Sequence, residues 1–238
     1  MLENLESVFI YSGDKNKKPS AKIYQKHKKT YDINPRINID IITQTLLCAL
    51  NMRENKTCHH SIRVANYTLA LCRRFNISDH ELLSYKNAAL LHDVGKIGVS
   101  DSILLKPDKL NSLEWNEMKK HSQYGFQMLT NLYYPNEVTK IVYSHHEWYN
   151  GSGYPNGIKG DRIPFGARIF TVADALDAMT SERIYRTTIS FEEAIQIIKD
   201  GSGKQFDPAI VEVLLNIPAE ELRKIRNHVD TKTLGYLK

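Results

Sequence analysis

His92 and Asp93 stand side by side in Ala-Ala-Leu-Leu-His-Asp-Val-Gly-Lys-Ile-Gly (88–98), directly after four apolar residues. Burying a carboxylate beside an imidazole is costly unless another group compensates it, and a metal ion is a common compensation. Adjacent residues of a helix point about 100° apart. His92 and Asp93 can therefore bind the same ion only if the helix end is distorted. Otherwise the aspartate must reach a second ion. Two close metal ions would activate a shared water and hold both oxygens of a displacement at phosphorus.

Other histidines and an aspartate further along the chain fit the same chemistry. His121, the doublet His145-His146 and Asp174 lie within or beside apolar helical patterns. A lone helical histidine is more often an ordinary surface or core residue than a ligand, but two adjacent buried imidazoles are rarer. Imidazole and carboxylate together suit iron, manganese or zinc, and the lack of a thiolate argues against a structural zinc site. The residues therefore predict a hydrolase with more than one metal ion.

Composition indicates an ordinary globular protein. The 238 residues are 42% hydrophobic and 25% charged, which fits one large domain with or without a small appendage. The sequence has neither an apolar run of about 18 residues nor a signal peptide, so we expect no membrane span. Cys48, Cys58 and Cys72 are odd in number and lack C-x-x-C spacing, which favours the reducing cytoplasm.

The net charge of +5 comes largely from lysines near the N-terminus, with no acidic residue between Lys15 and Tyr31. A solvated lysine segment explains this run better than a nucleic-acid site does, so we expect no nucleic-acid binding. Residues 1–36 lack clear periodicity and are interpreted as a short N-terminal appendage. We expect residues 37–238 to form the catalytic domain.

Apolar spacing from Ile37 onward is helical, and no run shows sustained strand alternation, so the sequence predicts an all-α fold. The long stretches 96–111 and 148–164 are interpreted as irregular. Helix starts are predicted from caps and first-turn residues. They are Ser78 with Glu81 for the helix reaching His92, Asn111 with Glu114 for the helix carrying His121, Pro135 for the helix ending at the doublet, Phe165 for the helix carrying Asp174, Ser190 with Glu193, and Asp207 with Pro208.

The set of His60, His92-Asp93 and Asp174 resembles the HD superfamily of metal-dependent phosphohydrolases. A longer ordered series is similar to the HD-GYP family and runs from about residue 40 to about residue 215. Its members are His-Asp-Val-Gly-Lys-Ile-Gly (92–98), Leu-Leu-Lys-Pro (104–107), Trp-x-x-Met-Lys-x-His (115–121), His-His-Glu (145–147), Gly-Ser-Gly-Tyr-Pro (151–155), Ile-Pro-x-x-Ala-Arg-Ile (163–169), Val-Ala-Asp-x-x-Asp-Ala-Met-Thr-Ser-x-Arg-x-Tyr-Arg (172–186) and Phe-Asp-Pro (206–208).

The resemblance implies an HD-domain helical bundle with extra C-terminal helices. It also implies a phosphodiesterase that opens cyclic di-GMP to linear pGpG or GMP, using a hydroxide held between the metals. Asp93 would bridge two metal ions, Lys96 would orient the scissile phosphate, and Arg183 and Arg186 would bind phosphate. The implied metal ligands are His60, His92, Asp93, His121, His145, His146 and Asp174. Iron is the expected metal, with manganese as the alternative.

The chain departs from the family pattern at two places. Some members carry a metal-binding glutamate four residues before the first ligand histidine; Lys56 stands there, and Glu54 lies on another face, so we predict a two-metal site. Glu-Trp-Tyr-Asn-Gly (147–151) replaces the usual Glu-Arg-Trp-Asp-Gly. The change leaves the metal ligands intact and alters a loop expected to contact substrate.

The Gly153-Tyr154-Pro155 turn admits more than one interpretation. It could lie over the substrate with Tyr154 in contact, dock cyclase-type signalling proteins, or simply connect two elements. Two other functions also remain open, namely another nucleotide phosphohydrolase of the HD type and a cyclic-dinucleotide receptor with little turnover. Asp177, three residues after Asp174, is expected to support a ligand rather than bind metal. The sequence shows no pattern that fixes the oligomeric state.

Overall fold

Helices make up most of the chain that the computed structural model describes, which is residues 35–54, 57–181 and 188–236. The first half contains α1 (Pro35–Arg53), α2 (Thr57–Cys72), α3 (Asp79–Leu91), a 3-10 helix (Val94–Gly98), α4 (Asp101–Leu104), α5 (Ser112–Lys119) and α6 (His121–Asn131). The second half contains α7 (Asn136–Ser144), a 3-10 helix (Gly160–Arg162), α8 (Phe165–Thr180), α9 (Phe191–Asp200), α10 (Pro208–Leu215) and α11 (Ala219–Tyr236). The prediction of an all-α fold is confirmed.

The predicted helix starts are confirmed where side chains cap the backbone. The Ser78 hydroxyl accepts the Glu81 amide, and the Glu81 carboxylate accepts the Ser78 amide at 3.1 Å. The same reciprocal box opens α5 at Asn111 and α9 at Ser190. Such caps satisfy amide groups that have no partner within the helix and typically contribute about 1 kcal/mol each.

The helix α2 lies at the centre of the packing, against α3, α8 and α11. The helix α7 packs against α3, α6 and α8, so the helices that end at the predicted metal ligands are neighbours. The core between them includes the fully buried side chains of Tyr67, Leu91, Ile141, Phe170 and Leu176. Burial of each large apolar side chain contributes about 1.5–3 kcal/mol, so this core fixes the relative positions of the helix ends.

The prediction that one helix runs from Asn111 through His121 is wrong. The helix α5 ends at Lys119, and α6 begins at His121. Two backbone carbonyl groups at the break accept hydrogen bonds from side chains. His121 Nδ1 donates to Met118 O at 2.7 Å, and the Ser122 hydroxyl donates to Lys119 O at 3.1 Å. These bonds compete with the helical ladder and redirect the chain, a competition that periodicity does not reveal.

The two stretches interpreted as irregular each contain short helical turns. The 3-10 helix at 94–98 and α4 lie in or beside the first, and the 3-10 helix at 160–162 lies in the second. The Arg53 guanidinium stabilises the first stretch, donating to Lys96 O at 3.3 Å and Val99 O at 3.0 Å. It also forms an ion pair with Asp101.

Several expectations concern residues that are not described. Residues 1–34 with their lysines, Lys56, Arg183 and Arg186 lie outside the described residues, so the boundary at residue 36 stays a prediction. In the described part of the chain, every helix is too short or too polar to cross a membrane.

Gly95 allows the first 3-10 helix to touch α6. A Cβ atom at this position would lie 1.8 Å from His121 O and 2.4 Å from Gly125 N, both backbone atoms. Backbone cannot swing aside as a flexible side chain can. Glycine at residue 95 is therefore required for the segment after His92-Asp93 to reach the start of α6, where His121 lies.

We expect Gly95→Ala to destabilise the protein by about 3 kcal/mol or more, because overpacking against backbone forces the elements apart. The change is measured as a fall in the free energy of unfolding by urea. Gly160→Ala is the control: Gly160 has φ +59° and open space where its Cβ would lie, so we expect a cost of only about 1 kcal/mol. Equal losses in the two variants would contradict the packing explanation.

Candidate metal centre

His92 and Asp93 lie where α3 gives way to the 3-10 helix. The helix ends at Leu91, His92 is its C-cap residue, and Asp93 at φ −94° and ψ 3° is no longer helical. This distortion brings the two side chains together, with His92 Nε2 3.2 Å from Asp93 Oδ2. The first of the two possibilities raised by helix geometry, a distorted helix end, is therefore realised.

Three of the buried histidines are held by the same hydrogen bond. His92, His121 and His145 each lie within 3.0 Å of a backbone carbonyl three residues earlier, with Nδ1···O distances of 2.8, 2.7 and 2.6 Å. A carbonyl only accepts, so Nδ1 carries the hydrogen in each ring. The opposite nitrogen, Nε2, therefore presents its lone pair, which is the form that binds metal.

The predicted ligands form two adjoining groups. In the first, ligand atoms of His60, His92 and Asp93 lie within 4.8 Å of one another; in the second, the same holds for His121, His145 and His146. Asp93 Oδ1 lies 3.5 Å from His121 Nε2, which connects the groups.

Asp174 approaches the first group from α8. Its Oδ1 lies 3.3 Å from His60 Nε2. The structure thus brings together all seven residues that the sequence singles out as ligands. It does so from the end of α3, the start of α6 and the end of α7, from the first turn of α2, and from the middle of α8.

The acidic residues of the centre are ionised despite burial. Burial alone would raise the pKa of Asp93, but Lys96 and His92 outweigh that effect and hold the pKa well below its usual value. For Asp174, burial is likewise outweighed by the hydrogen bond and charge of His60, which lower the pKa to about 2. Two carboxylates therefore face the centre as anions at neutral pH.

The histidines of the second group are neutral. Burial, reinforced by the neighbouring imidazoles, lowers the pKa of His146 to about 3 and that of His145 well below its usual value. The pKa of His121 is also lowered, chiefly by burial. Neutral imidazoles with free nitrogen lone pairs are what a divalent cation requires.

These residues fit divalent metal ions. His121 Nε2 and His145 Nε2 are 3.1 Å apart, although both rings already use their Nδ1 hydrogens on carbonyls. Two lone pairs would thus face each other in a buried site, and low pKa values prevent protonation from relieving the repulsion. A cation held by these nitrogens relieves it. The nitrogen and oxygen donors suit iron, manganese or zinc.

The HD domain profile matches residues 38–210, which span every one of these seven side chains. The chain is a member of the HD domain family. The resemblance of the sequence motifs to the HD superfamily is therefore confirmed.

Relatives of this HD domain act on cyclic dinucleotides. The 3'3'-cGAMP-specific phosphodiesterase 3 of Vibrio cholerae is 38% identical over 177 residues, which cover 73% of this chain and 38% of the relative. A cyclic di-GMP phosphodiesterase of Thermotoga maritima is 37% identical over 183 residues, covering 76% of this chain and 50% of the relative. The chain thus spans half or less of the length of these relatives.

A solved structure shares the fold of this HD domain. The crystal structure of a cyclic GMP-AMP-specific phosphodiesterase of V. cholerae superposes with a TM-score of 0.62 at 26% sequence identity. The match covers 79% of this chain and 52% of that one.

Lys96 lies inside the centre, one turn beyond His92. Its ammonium is 2.9 Å from Asp93 Oδ2 and 3.3 Å from Glu54 Oε2. These two carboxylates raise the pKa of Lys96 despite its burial, so it remains charged. Glu54, whose position argues against metal binding, instead lies against Lys96.

His60 is held by a network that the sequence only partly indicated. Asp177 Oδ2 lies 2.8 Å from His60 Nδ1, as expected for a residue supporting a ligand. Arg63, which sequence reasoning missed, donates from Nε to Asp177 Oδ1 at 2.6 Å and from Nη1 to Asp230 Oδ1 at 2.9 Å. Its position three residues after His60, on the same helix face, was the available signal.

The Gly-Tyr-Pro turn lies against the doublet. A Cβ on Gly153 would be 2.3 Å from Trp148 N and 2.4 Å from His146 O, so only glycine allows this approach. The Tyr154 ring then stacks on His146, with centroids 4.6 Å apart and planes at 29°. The buried Glu147 carboxylate accepts a hydrogen bond from the backbone N–H of Asn156 at 2.7 Å, which fixes the turn. Tyr154 is thus beside the centre, and docking of partner proteins here stays a prediction.

We expect Asp177→Asn to weaken Mn²⁺ binding by about 10- to 100-fold, because the supporting carboxylate orients His60 and makes it more basic. The dissociation constant is measured by titration of metal-free protein. Asp230→Asn removes the other carboxylate on Arg63 without touching His60 and is the control, with unchanged affinity. Equal effects in both variants would assign Asp177 a role in folding alone.

Metal affinity should also rise with pH. Burial would lower the pKa of His60, but hydrogen bonds to Asp174 and Asp177 outweigh it and raise the pKa to about 9 in the metal-free protein. Below pH 9 a proton must therefore leave His60 before metal binds. We expect affinity to increase about tenfold per pH unit up to pH 9 and then level off, with about one proton released at pH 7.

Calorimetric titration with Mn²⁺ in buffers of different ionisation enthalpy measures that proton. A dissociation constant that stayed constant between pH 6 and pH 9 would show that His60 is already neutral or does not bind metal.

Proposed function

We propose that this HD domain is a metal-dependent phosphodiesterase that hydrolyses cyclic di-GMP to linear pGpG, GMP or both. The observation that carries the proposal is the meeting of seven imidazole and carboxylate side chains in two adjoining groups linked by Asp93. Relatives of 37–38% identity that are named as phosphodiesterases of cyclic dinucleotides support the substrate class.

Two ions, iron or manganese, are proposed to be held by His60, His92, Asp93, His121, His145, His146 and Asp174. Asp93 is the residue proposed to contact both, since its Oδ2 lies 3.2 Å from His92 Nε2 and its Oδ1 lies 3.5 Å from His121 Nε2. When bound, such a pair supplies a hydroxide at neutral pH and stabilises charge on the attacking and leaving oxygens.

The remaining residues bind and orient the phosphate in this proposal. Lys96 keeps its charge beside Asp93 and can turn its ammonium to a phosphate oxygen of the substrate. Hydrogen bonds and charge placed where negative charge develops are usually the largest contribution to catalysis. Arg183 and Arg186 are proposed to bind the phosphates through their guanidinium groups, and Tyr154 to line the substrate site beside His146.

A receptor with little turnover is the second candidate, and the altered loop favours it. Trp148 stands beside the doublet where the HD-GYP pattern has arginine, which removes one cation expected near the phosphates. Against it, all seven residues proposed as ligands lie close together, and selection for binding alone does not require that set.

Anaerobic purification, metal analysis and product identification test the function. We expect about two ions per chain and the appearance of pGpG or GMP from cyclic di-GMP. Asp93→Ala should lose metal and turnover together. Lys96→Met should keep its metal while kcat falls by about 10²–10³-fold.

Exposed residues of the same types serve as controls: Asp108→Ala and Lys86→Met should leave metal content and kcat unchanged. Tight binding of cyclic di-GMP by the metal-loaded protein without product would establish the receptor instead. An Asp93→Ala protein that retained metal and rate would rule out the proposed site.

A further inference from the structure

A cavity of about 500 Å³ opens beside the metal centre, and His145, His146 and Asp174 form one of its sides. This volume lies within the range of small-molecule sites. A ligand whose phosphate reached the centre would therefore extend into this space.

The rest of the cavity lining combines aromatic and polar residues. The indole of Trp148, 40% exposed, and the ring of Phe206, almost fully buried, lie there with Ile197. Asp200 and Gln205 also line it. Flat apolar surfaces with a few polar groups are typical of sites for aromatic rings that carry hydrogen-bonding edges.

Backbone hydrogen bonds hold in place the loops that carry Trp148 and Gln205. Tyr149 N donates to Gln205 O at 3.1 Å, and Asn150 N donates to Lys204 O at 2.8 Å, so the loop after the doublet is tied to the loop after α9. Gly201 is packed against the Phe206 ring, which a Cβ would approach to 2.8 Å. The cavity is therefore preformed, which lowers the cost of ordering it on binding.

We propose that this cavity binds a guanine base of the cyclic dinucleotide, stacked on Trp148, with the Asp200 carboxylate selecting guanine. The inference rests on the proposed function. An indole stacks on any base. A carboxylate accepts the N1–H and amino group on the Watson–Crick edge of guanine, whereas adenine presents the N1 lone pair there and repels it.

The position of Asp200 supports this role. The Gln196 side-chain amide donates to Asp200 Oδ1 at 2.8 Å, which restrains the carboxylate at the exposed end of α9. Only Glu147 lies between the doublet and Trp148, so the stacking surface is joined closely to the metal centre. Stacking of the base and positioning of the phosphate are thus coupled through one short segment.

Nucleotide binding tests the cavity without relying on turnover. Equilibrium binding of 5'-GMP and 5'-AMP is measured on Mn²⁺-loaded protein. We expect the wild type to prefer GMP, Trp148→Ala to weaken both nucleotides by about 10- to 100-fold, and Trp148→Phe to restore most of the loss. Asp200→Asn should weaken GMP by about 10- to 100-fold and AMP little. Glu212→Gln, which removes a carboxylate outside the cavity, is the control.

Hydrolysis of cyclic di-GMP and cyclic di-AMP then separates the two proposals. If cyclic di-GMP is hydrolysed and Asp200→Asn lowers its kcat/KM relative to cyclic di-AMP by about 10-fold or more, both stand. If hydrolysis occurs but neither GMP binding nor the substrate ratio responds to Trp148 and Asp200, the cavity proposal fails and the function stands. A preference for GMP that depends on Asp200 without any hydrolysis would sustain the cavity and overturn the phosphodiesterase.

Discussion

A hydrogen bond from an imidazole Nδ1 to the backbone carbonyl three residues earlier determines which ring nitrogen faces the metal centre. His92, His121 and His145 all form it. Each bond uses a backbone carbonyl group near a helix end, where carbonyl groups lack partners within the helix. The bond therefore costs the helix little stability. The arrangement suits the ligands that follow or begin helices, because a carbonyl at a helix end can accept a side-chain hydrogen without the loss of a bond within the helix.

The centre combines two electrostatic environments. Around Asp93 and Asp174, ionised carboxylates are balanced by Lys96 and by His60, whose pKa rises to about 9 without metal. Around the doublet, burial makes the imidazoles neutral, because it outweighs the charges of Asp93 and Asp174 that would raise their pKa values. Cations satisfy both, since they accept the neutral lone pairs and neutralise the carboxylates.

Sequence reasoning predicted the helices with caps and the residues of the centre, because both depend on local pattern. Ser78 with Glu81 opens α3, and His92-Asp93 ends it, as the residues indicate. Contacts between elements were not predictable. Periodicity could not show that Lys120 interrupts a helix, that Gly95 must touch the backbone of His121, or that Glu54 reaches Lys96. Arg183, Arg186 and Lys56 lie outside the described residues, so the number of ions and the phosphate contacts from the resemblance stay predictions.

Four consecutive residues after α7 show how one short segment serves metal, loop and cavity together. His145 and His146 face the centre, Glu147 turns inward to hold the Asn156 amide, and Trp148 lines the cavity. Because helical hydrogen bonding ends at Ser144, successive side chains can point in directions that a helix would forbid. A displacement of any one of them would move the others, since no flexible linker separates them. In the proposed complex, placement of the base beside the phosphate would therefore follow from the same loss of helix that exposes the candidate metal ligands.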